Sequence, residues 1–555
     1  MHARIHFTWM LLALCPAAFA AAPPGAGGQL QQIPPSPTPD KVVPRVDLPQ
    51  RNAPPADAPD SAKITVTRLR ITGTQAYSEA RLLEVTGFQP GAELSLTDLR
   101  GMAARLADFY HRNGYFVAQA YLPAQDIKDG VVTIAVIDGV YGQVRLDNQA
   151  GVTDRLAYGL LGGIDAGDSI VLAPLESRLL LLSDLPGVRV NSTLVPGAEA
   201  GSSDLIVTLT PGRRVSGSID ADNAGNRYTG ANRIGATVNF NEPIGQGDVA
   251  SLRTLTSGAG LRYLRASYQM QFGRATAGVA YSALNYKLGE EFESLQAHGS
   301  ARVASLYGSY PLIRSRNSNL YAGLVLDNKS FQDSVDSISA VSDKRARVLT
   351  ASLYGDAHDG LGQGGRTSYS IALAAGRLDL QTPAVRSLDA LTAQTHGAFN
   401  KLGFQLARQQ TVTDSLSLFA AVSGQLASKN LDVSERMELG GMYGVRAYPE
   451  GEAYADEGYL VTLEARVQLP RLSQQTSSQL QLVGFVDAGT VTINKTPWTA
   501  GPNRRTLSGA GVGFIWSDRN NFIVRAYYAV KVGSETATSA PDKSGRFWIQ
   551  AVAYF

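Results

Sequence analysis

The sequence predicts an all-β transmembrane barrel of about sixteen antiparallel strands, preceded by two small α/β domains. Three observations carry this. From about residue 214 to Phe555, apolar and polar residues alternate with period two. Upstream, the order strand, helix, helix, strand, strand occurs twice, each copy roughly 70 residues long. Near the C-terminus stand two short motifs, Gly444-Val445-Arg446-Ala447-Tyr448-Pro449 and Phe485-Val486-Asp487-Ala488-Gly489.

The first 20 residues read as a secretory signal peptide. Arg4 gives a positive start, Phe7 to Leu14 an apolar core, and Ala18-Phe19-Ala20 a cleavage site. The one cysteine, Cys15, lies inside this segment between Leu14 and Pro16, poor neighbours for lipidation. Cleavage after Ala20 leaves no thiol for a disulfide, a zinc site or a nucleophile. Residues 21–62 carry prolines from Pro23 and Pro24 through Pro34 and Pro35 to Pro59, which favours an extended linker over helix or sheet.

In the first α/β unit, Lys63–Ile71 alternates as a strand. Ser95 with Asp98 three residues on opens a helix. Leu96, Leu99, Ala103, Leu106 and Tyr110 form its apolar face, and Gly114 closes it. Strands follow at Tyr115–Leu122 and Val131–Ile137, separated by Asp129-Gly130. The second unit repeats the order with Gln143–Leu146, helices at Asp154–Leu161 and Leu172–Leu182, and strands at Val188–Leu194 and Leu205–Thr210.

In the C-terminal part, Val215, Ile219 and Ala221 alternate with Ser216, Ser218, Asp220 and Asp222. Tyr459, Val461, Leu463, Ala465 and Val467 alternate with Thr462, Glu464, Arg466 and Gln468. Such a charged face is either the outside of a soluble sandwich or the lumen of a membrane barrel. The secretory signal, the aromatic end of Arg546–Phe555 and room for about sixteen strands of roughly ten residues select the barrel. No apolar run of about 18 residues follows the N-terminus, so no spanning helix is expected.

The net charge of +2, without a Lys/Arg-rich run, gives no case for nucleic acid. Gly360–Thr367 brushes against a phosphate loop but has Arg366 where Lys belongs, and reads as a barrel turn. His111, His298, His358 and His396 are scattered, so no metal, cofactor or catalytic centre is expected. Glu464 and Arg466 read as solvated pore lining rather than a catalytic pair. Asp487 is in phase with Gln479 and Gln481, on the lumen face. A shielded carboxylate there wants a cation, and a loop folded into the lumen can supply Arg446.

The chain from about 63 to 555 resembles the two-partner secretion transporters of the haemolysin secretion/activation and filamentous-haemagglutinin type. Asp108–Phe116, then Tyr121-Leu122-Pro123-Ala124-Gln125 and Gly130–Ile134, resembles the family's first POTRA (polypeptide-transport-associated) domain. Asp222-Asn223-x-Gly225 with Arg233, and Gly245-Gln246-Gly247-Asp248, resemble the start of its barrel. Gly444–Glu452 resembles its inward-folded sixth extracellular loop, with Ala447 where the family often has Gly.

The resemblance implies POTRA domains at 63–140 and 141–213 in the periplasm and a barrel at 214–555 in the Gram-negative outer membrane. It implies secretion of an unfolded partner exoprotein, with no enzymatic activity and no cofactor. The implied partners are an exoprotein with an N-terminal secretion domain of adhesin or haemolysin type, outer-membrane lipids, and the barrel assembly machinery during biogenesis. The motif residues are Gly444, Val445, Arg446, Ala447, Tyr448, Phe485, Asp487 and Gly489, with Gly114, Tyr115, Leu122, Pro123 and Gln125 in the first POTRA domain. Losing Arg446 or Asp487 is expected to release the loop, and exchanging their charges to restore part of the secretion. Family members often carry an N-terminal plug helix, of which only Gly28–Gln32 gives a hint. The alternative is a barrel-assembly insertase of the same superfamily, which usually resembles a longer POTRA array.

Overall fold

The computed structural model describes residues 23–39, 46–47, 63–470, 477–518 and 521–555. The signal-peptide reading and much of the expected linker lie outside these residues. The described part of the linker departs from the expected extended chain. Ala26–Gln31 forms a helix, α1, and Val46–Asp47 a short strand, β1.

The first α/β unit holds β2 (Ile64–Val66), β3 (Arg68–Thr72), α2 (Glu79–Thr86), β4 (Ala92–Leu94), α3 (Leu96–Arg112), β5 (Gln119–Tyr121) and β6 (Val131–Ile137). The single strand expected at 63–71 is split at Thr67, whose N–H donates to the Gly130 carbonyl at 2.8 Å. β2 then pairs with β4, while β3 pairs with β6. Ser95 and Asp98 form a reciprocal capping box on α3. Leu99, Met102, Leu106 and Tyr110 from this helix pack on Leu69, Ile71, Val132 and Ile134.

The second unit holds β7 (Val140–Asn148), α4 (Asp154–Leu161), α5 (Leu172–Ser183), β8 (Val188–Pro196) and β9 (Ser202–Pro211). Its sheet has the order β1-β8-β9-β7, so the linker strand covers one sheet edge. The units join where Leu172 N–H donates to Gly114 O at 2.9 Å.

Sixteen strands then close a barrel. They are β10 (Val215–Asp222), β11 (Arg233–Asn241), β12 (Val249–Thr256), β13 (Leu261–Phe272), β14 (Ala275–Lys287) and β15 (Ala297–Arg314). Next come β16 (Ser318–Val335), β17 (Ala340–Asp359), β18 (Gly365–Leu380), β19 (Gly397–Thr411) and β20 (Leu416–Ala427). The last are β21 (Glu457–Gln468), β22 (Gln479–Thr492), β23 (Arg504–Asp518), β24 (Phe522–Lys531) and β25 (Gly545–Tyr554). A helix, α6 (Pro383–Leu391), lies between β18 and β19. Closure pairs β25 with β10, and Phe555 and Gly217 exchange backbone hydrogen bonds of 3.0 and 3.1 Å. Ile219, Leu252, Leu324, Leu373, Leu463 and Val486 face outward and are exposed, as a lipid-facing band requires.

The second unit sits against the near end of the barrel. Thr153 N–H donates to Gly245 O at 2.9 Å, and Arg314 pairs with Asp184 at 2.7 Å. The phosphate-loop lookalike is the near-end turn between β17 and β18. At the far end, the sixth connection, residues 428–456 between β20 and β21, folds back into the lumen beside α1.

Candidate functional site

The loop is pinned first at its base. Lys344 binds Asp432 at 2.9 Å, and Lys329 and Lys401 bind Glu435 at 2.7 and 2.9 Å. Farther along, the Glu452 carboxylate accepts the Thr538 and Ser539 N–H groups at 2.8 and 2.9 Å and pairs with Arg505. Tyr448 is fully buried and donates its hydroxyl to Glu535 O at 3.0 Å. The partners of these anchors come from strands and a far-end loop remote in sequence, and no motif announced them.

Between the anchors lies the motif. Val445 N–H donates to Leu439 O at 2.8 Å, making a tight inward bend. Gly444 has no room for a side chain, because a Cβ there would stand 2.2 Å from Leu439 O. Ala447 has no positive φ, so the family's frequent glycine is not needed at this position. The room is made opposite, where a Cβ on Gly509 would meet Ala447 Cβ at 2.5 Å. Gly489 similarly leaves space for Leu439.

Arg446 and Asp487 meet. The guanidinium Nε and Nη2 each donate to one Asp487 oxygen at 2.8 Å, a two-point fork. The Arg446 backbone N–H adds a third bond to Asp487 at 3.2 Å. Asp487 is 0% exposed and Arg446 4%. The guanidinium lies 3.4 Å over the Phe485 ring and 4.9 Å from that of Tyr527. Trp548 Nε1 donates to Arg446 O at 2.7 Å.

The reading of Glu464 and Arg466 as solvated pore lining is corrected here. Glu464 is 8% exposed and bridges Arg446 at 2.8 Å and Arg466 at 2.7 Å. Register explains this. Thr462 stands opposite Asp487, so Glu464 lies one lumen-facing position along the neighbouring strand. The site is therefore two carboxylates and two guanidiniums in line, Asp487–Arg446–Glu464–Arg466.

The POTRA motif residues serve the first unit's fold. Gly114 adopts φ of +90° after α3 and places Tyr115 edge-on to Tyr110. Leu122 packs on the core. Gln125 acts as a substitute strand, donating to Thr133 O at 2.8 Å and accepting from Thr133 N at 2.7 Å. It also donates to Pro123 O at 3.3 Å.

α1 occupies the lumen beside the loop. Ala26 N–H donates to Asp333 at 2.7 Å, Thr229 to Gln29 at 2.7 Å, and Arg233 to Gln32 O at 2.8 Å. Gln32 donates to Tyr454 of the loop at 2.7 Å. Leu30 and Ile33 pack on a lumen cluster that includes Leu255, Leu284 and Phe331.

Glu438 lies where helix and loop meet. Its carboxyl is pushed up to about 7 by burial, against hydrogen bonds from Gly451, Tyr454 and Gln32 and with a small further rise from the Glu452 charge. Burial and Glu438 raise Glu450 well above the usual carboxylate range, opposed by Arg233. A raised pKa means the docked loop binds protons more tightly than the released loop. Docking is therefore strongest below the ordinary value of 4.5 and weakens as pH climbs to about 7. Pore opening in planar bilayers should accordingly rise from pH 5 to pH 8. In Glu438→Gln the profile should flatten; an unchanged slope in that variant would assign the titration elsewhere.

Among the described residues there is no cluster of metal-ligating side chains and no helix long and apolar enough to cross a membrane. A family model described as haemolysin secretion/activation protein ShlB/FhaC/HecB matches residues 201–515. A second, POTRA domain, ShlB-type, matches 64–139. The heme/hemopexin transporter protein HuxB of Haemophilus influenzae strain 86-028NP is 30% identical, over 84% of this chain and 82% of its own length. The outer membrane transporter CdiB of Escherichia coli O6:K15:H31 (strain 536 / UPEC) is 22% identical over 88% and 82%. Among solved structures, CdiB from Escherichia coli superposes with a TM-score of 0.69 at 20% identity, covering 91% of this chain and 93% of that one. BamA from Haemophilus ducreyi lacking POTRA domains 1-3 gives 0.53 at 14% identity, covering 89% and 100%.

Proposed function

The chain belongs to the ShlB/FhaC/HecB haemolysin secretion/activation family, and we propose that its POTRA domains capture an unfolded exoprotein while the sixth loop and α1 hold the pore shut until capture. It is a two-partner secretion transporter, an outer-membrane β-barrel whose POTRA domains stand in the periplasm. The observation behind the gating reading is the shared lumen. α1 and the sixth loop touch through Gln32 and Tyr454, so moving one disturbs the other.

Capture is assigned to sheet edges. β3 and β5 border the first unit's three-stranded sheet and β7 borders the second unit's sheet. An extended client can add to such an edge by backbone hydrogen bonds. The client is an exoprotein with an N-terminal secretion domain, of adhesin or haemolysin type. The barrel assembly machinery inserts the transporter itself.

Removing 63–213 should abolish exoprotein release while leaving a heat-modifiable barrel in the outer membrane. Normal secretion by the truncated barrel would place capture elsewhere. A general loss of other outer-membrane barrels in cells lacking the protein would favour the insertase reading instead.

A further inference from the structure

The outward-facing residues show where the lipid-facing band ends on the outer side. On β15 to β18 the apolar outward positions run out at Ala304, Leu326, Leu349 and Ala375. The next outward positions are Arg302, Asn328, Arg347 and Arg377, and Asn400 on β19 continues the row. Arg345 stands one outward position beyond Arg347. On the opposite wall the outward positions above the apolar band are Ser508 and Thr254, with Arg504 exposed farther out. Four arginines thus stand together on β15 to β18.

Arg347 and Arg377 are direct cross-strand partners. Like charges set opposite each other destabilise a ladder unless something between them is negative. Among the described residues, none of Arg302, Arg345, Arg347 and Arg377 has an ion-pair partner. The nearby outward acids make no ion pair with them within 4 Å. Asp379 stands opposite Arg345 in register without pairing, and Asp343 accepts from Gln332 at 3.0 Å. A recess of about 360 Å³ opens between Arg347 and Arg377, with Leu326, Leu349 and Ala375 on its lipid side and Asn400 at its rim.

We propose that this recess binds the phosphate of a phosphorylated, multiply acylated glycolipid of lipid A chemistry in the outer leaflet. The guanidinium forks match phosphate oxygens in pairs. The apolar residues below them continue into Leu306, Leu324, Leu353 and Leu373, a surface for acyl chains. Cations above and hydrocarbon below fit an amphiphile lying along the wall, whereas a free phosphate uses only the upper half.

The test uses the full-length protein in phosphatidylethanolamine nanodiscs with lipid A, read as retained lipid A by native mass spectrometry. Arg347→Gln with Arg377→Gln should lower retention about tenfold or more, the scale of losing charge-assisted phosphate contacts. Arg347→Lys with Arg377→Lys should retain an intermediate amount. Dephosphorylated lipid A should bind the wild type as weakly as lipid A binds the Gln pair, and millimolar inorganic phosphate should not displace lipid A. Wild-type retention by the Gln pair, equal binding of dephosphorylated lipid A, or displacement by inorganic phosphate each overturns the proposal. If the Gln pair fails to assemble a heat-modifiable barrel, Arg377→Gln alone, which removes the like-charge pairing, gives the same reading.

Discussion

Arg446→Ala is expected to cut exoprotein release below about a tenth of wild type, normalised to barrel assembled in the membrane, because removing one partner of a buried ion pair costs about 3–5 kcal/mol. The truncation strands Asp487, which is fully buried, and leaves Glu464 with Arg466 alone. It also empties the face of Phe485. The barrel should still assemble, since its stability rests on sixteen paired strands rather than on the loop. Asp487→Ala should lose secretion to a similar degree, and the double variant should be little worse than either single. Additive losses would mean that the two residues act separately. The charge exchange, Arg446→Asp with Asp487→Arg, is no longer expected to rescue. It sets a new carboxylate where Glu464 is bound at 2.8 Å. Partial rescue by the exchange would show that Glu464 has little hold on Arg446 in the working protein.

The second large effect is expected at Gly27. A Cβ there would lie 2.7 Å from Ser434 Cβ and 3.0 Å from Ser434 backbone atoms. Ser434 has little room to retreat, because Asp432 and Glu435 on either side are held by Lys344, Lys329 and Lys401. Gly27→Leu should therefore expel α1 and break the Arg233 and Asp333 contacts that seat it. Overpacking of this kind costs about 1–3 kcal/mol, so the open fraction of single channels should rise about tenfold or more. Wild-type conductance in a Gly27→Leu barrel would show that α1 does not govern the resting pore.

The alternation of Gln479, Gln481 and Asp487 was enough to put a carboxylate in the lumen, and the Gly-rich loop motif was enough to nominate its cation. Glu464 was visible as a lumen residue but not as a third member, because its place beside Asp487 depends on the β21–β22 register, which one strand's period cannot state. α1 was obscured for another reason. A six-residue helix amid prolines has almost no propensity signal of its own and is held by docking. The lysines at the loop base lie on three strands more than thirty residues from Glu435 or Asp432, and no spacing rule joins them. The break at Thr67 depends on a hydrogen bond that its N–H donates to a turn some sixty residues away, beyond the reach of local alternation.

Strand length has a directional consequence. β10, β11 and β12 are 8, 9 and 8 residues long, whereas β15, β16, β17 and β18 are 18, 18, 20 and 16. A bilayer uses about ten residues of each tilted strand, so the longer strands continue roughly 20–30 Å past it along their own axes. Their apolar outward positions lie toward the periplasmic end, which places the excess outside the cell. The mouth is cut at a slant, like a quill. A polypeptide emerging from it passes a tall strand wall on one flank and short strands with their loops on the other. A stalled exoprotein should therefore cross-link first to probes on the short side, where β10 meets β25, and the reverse order would show that strand length does not steer it.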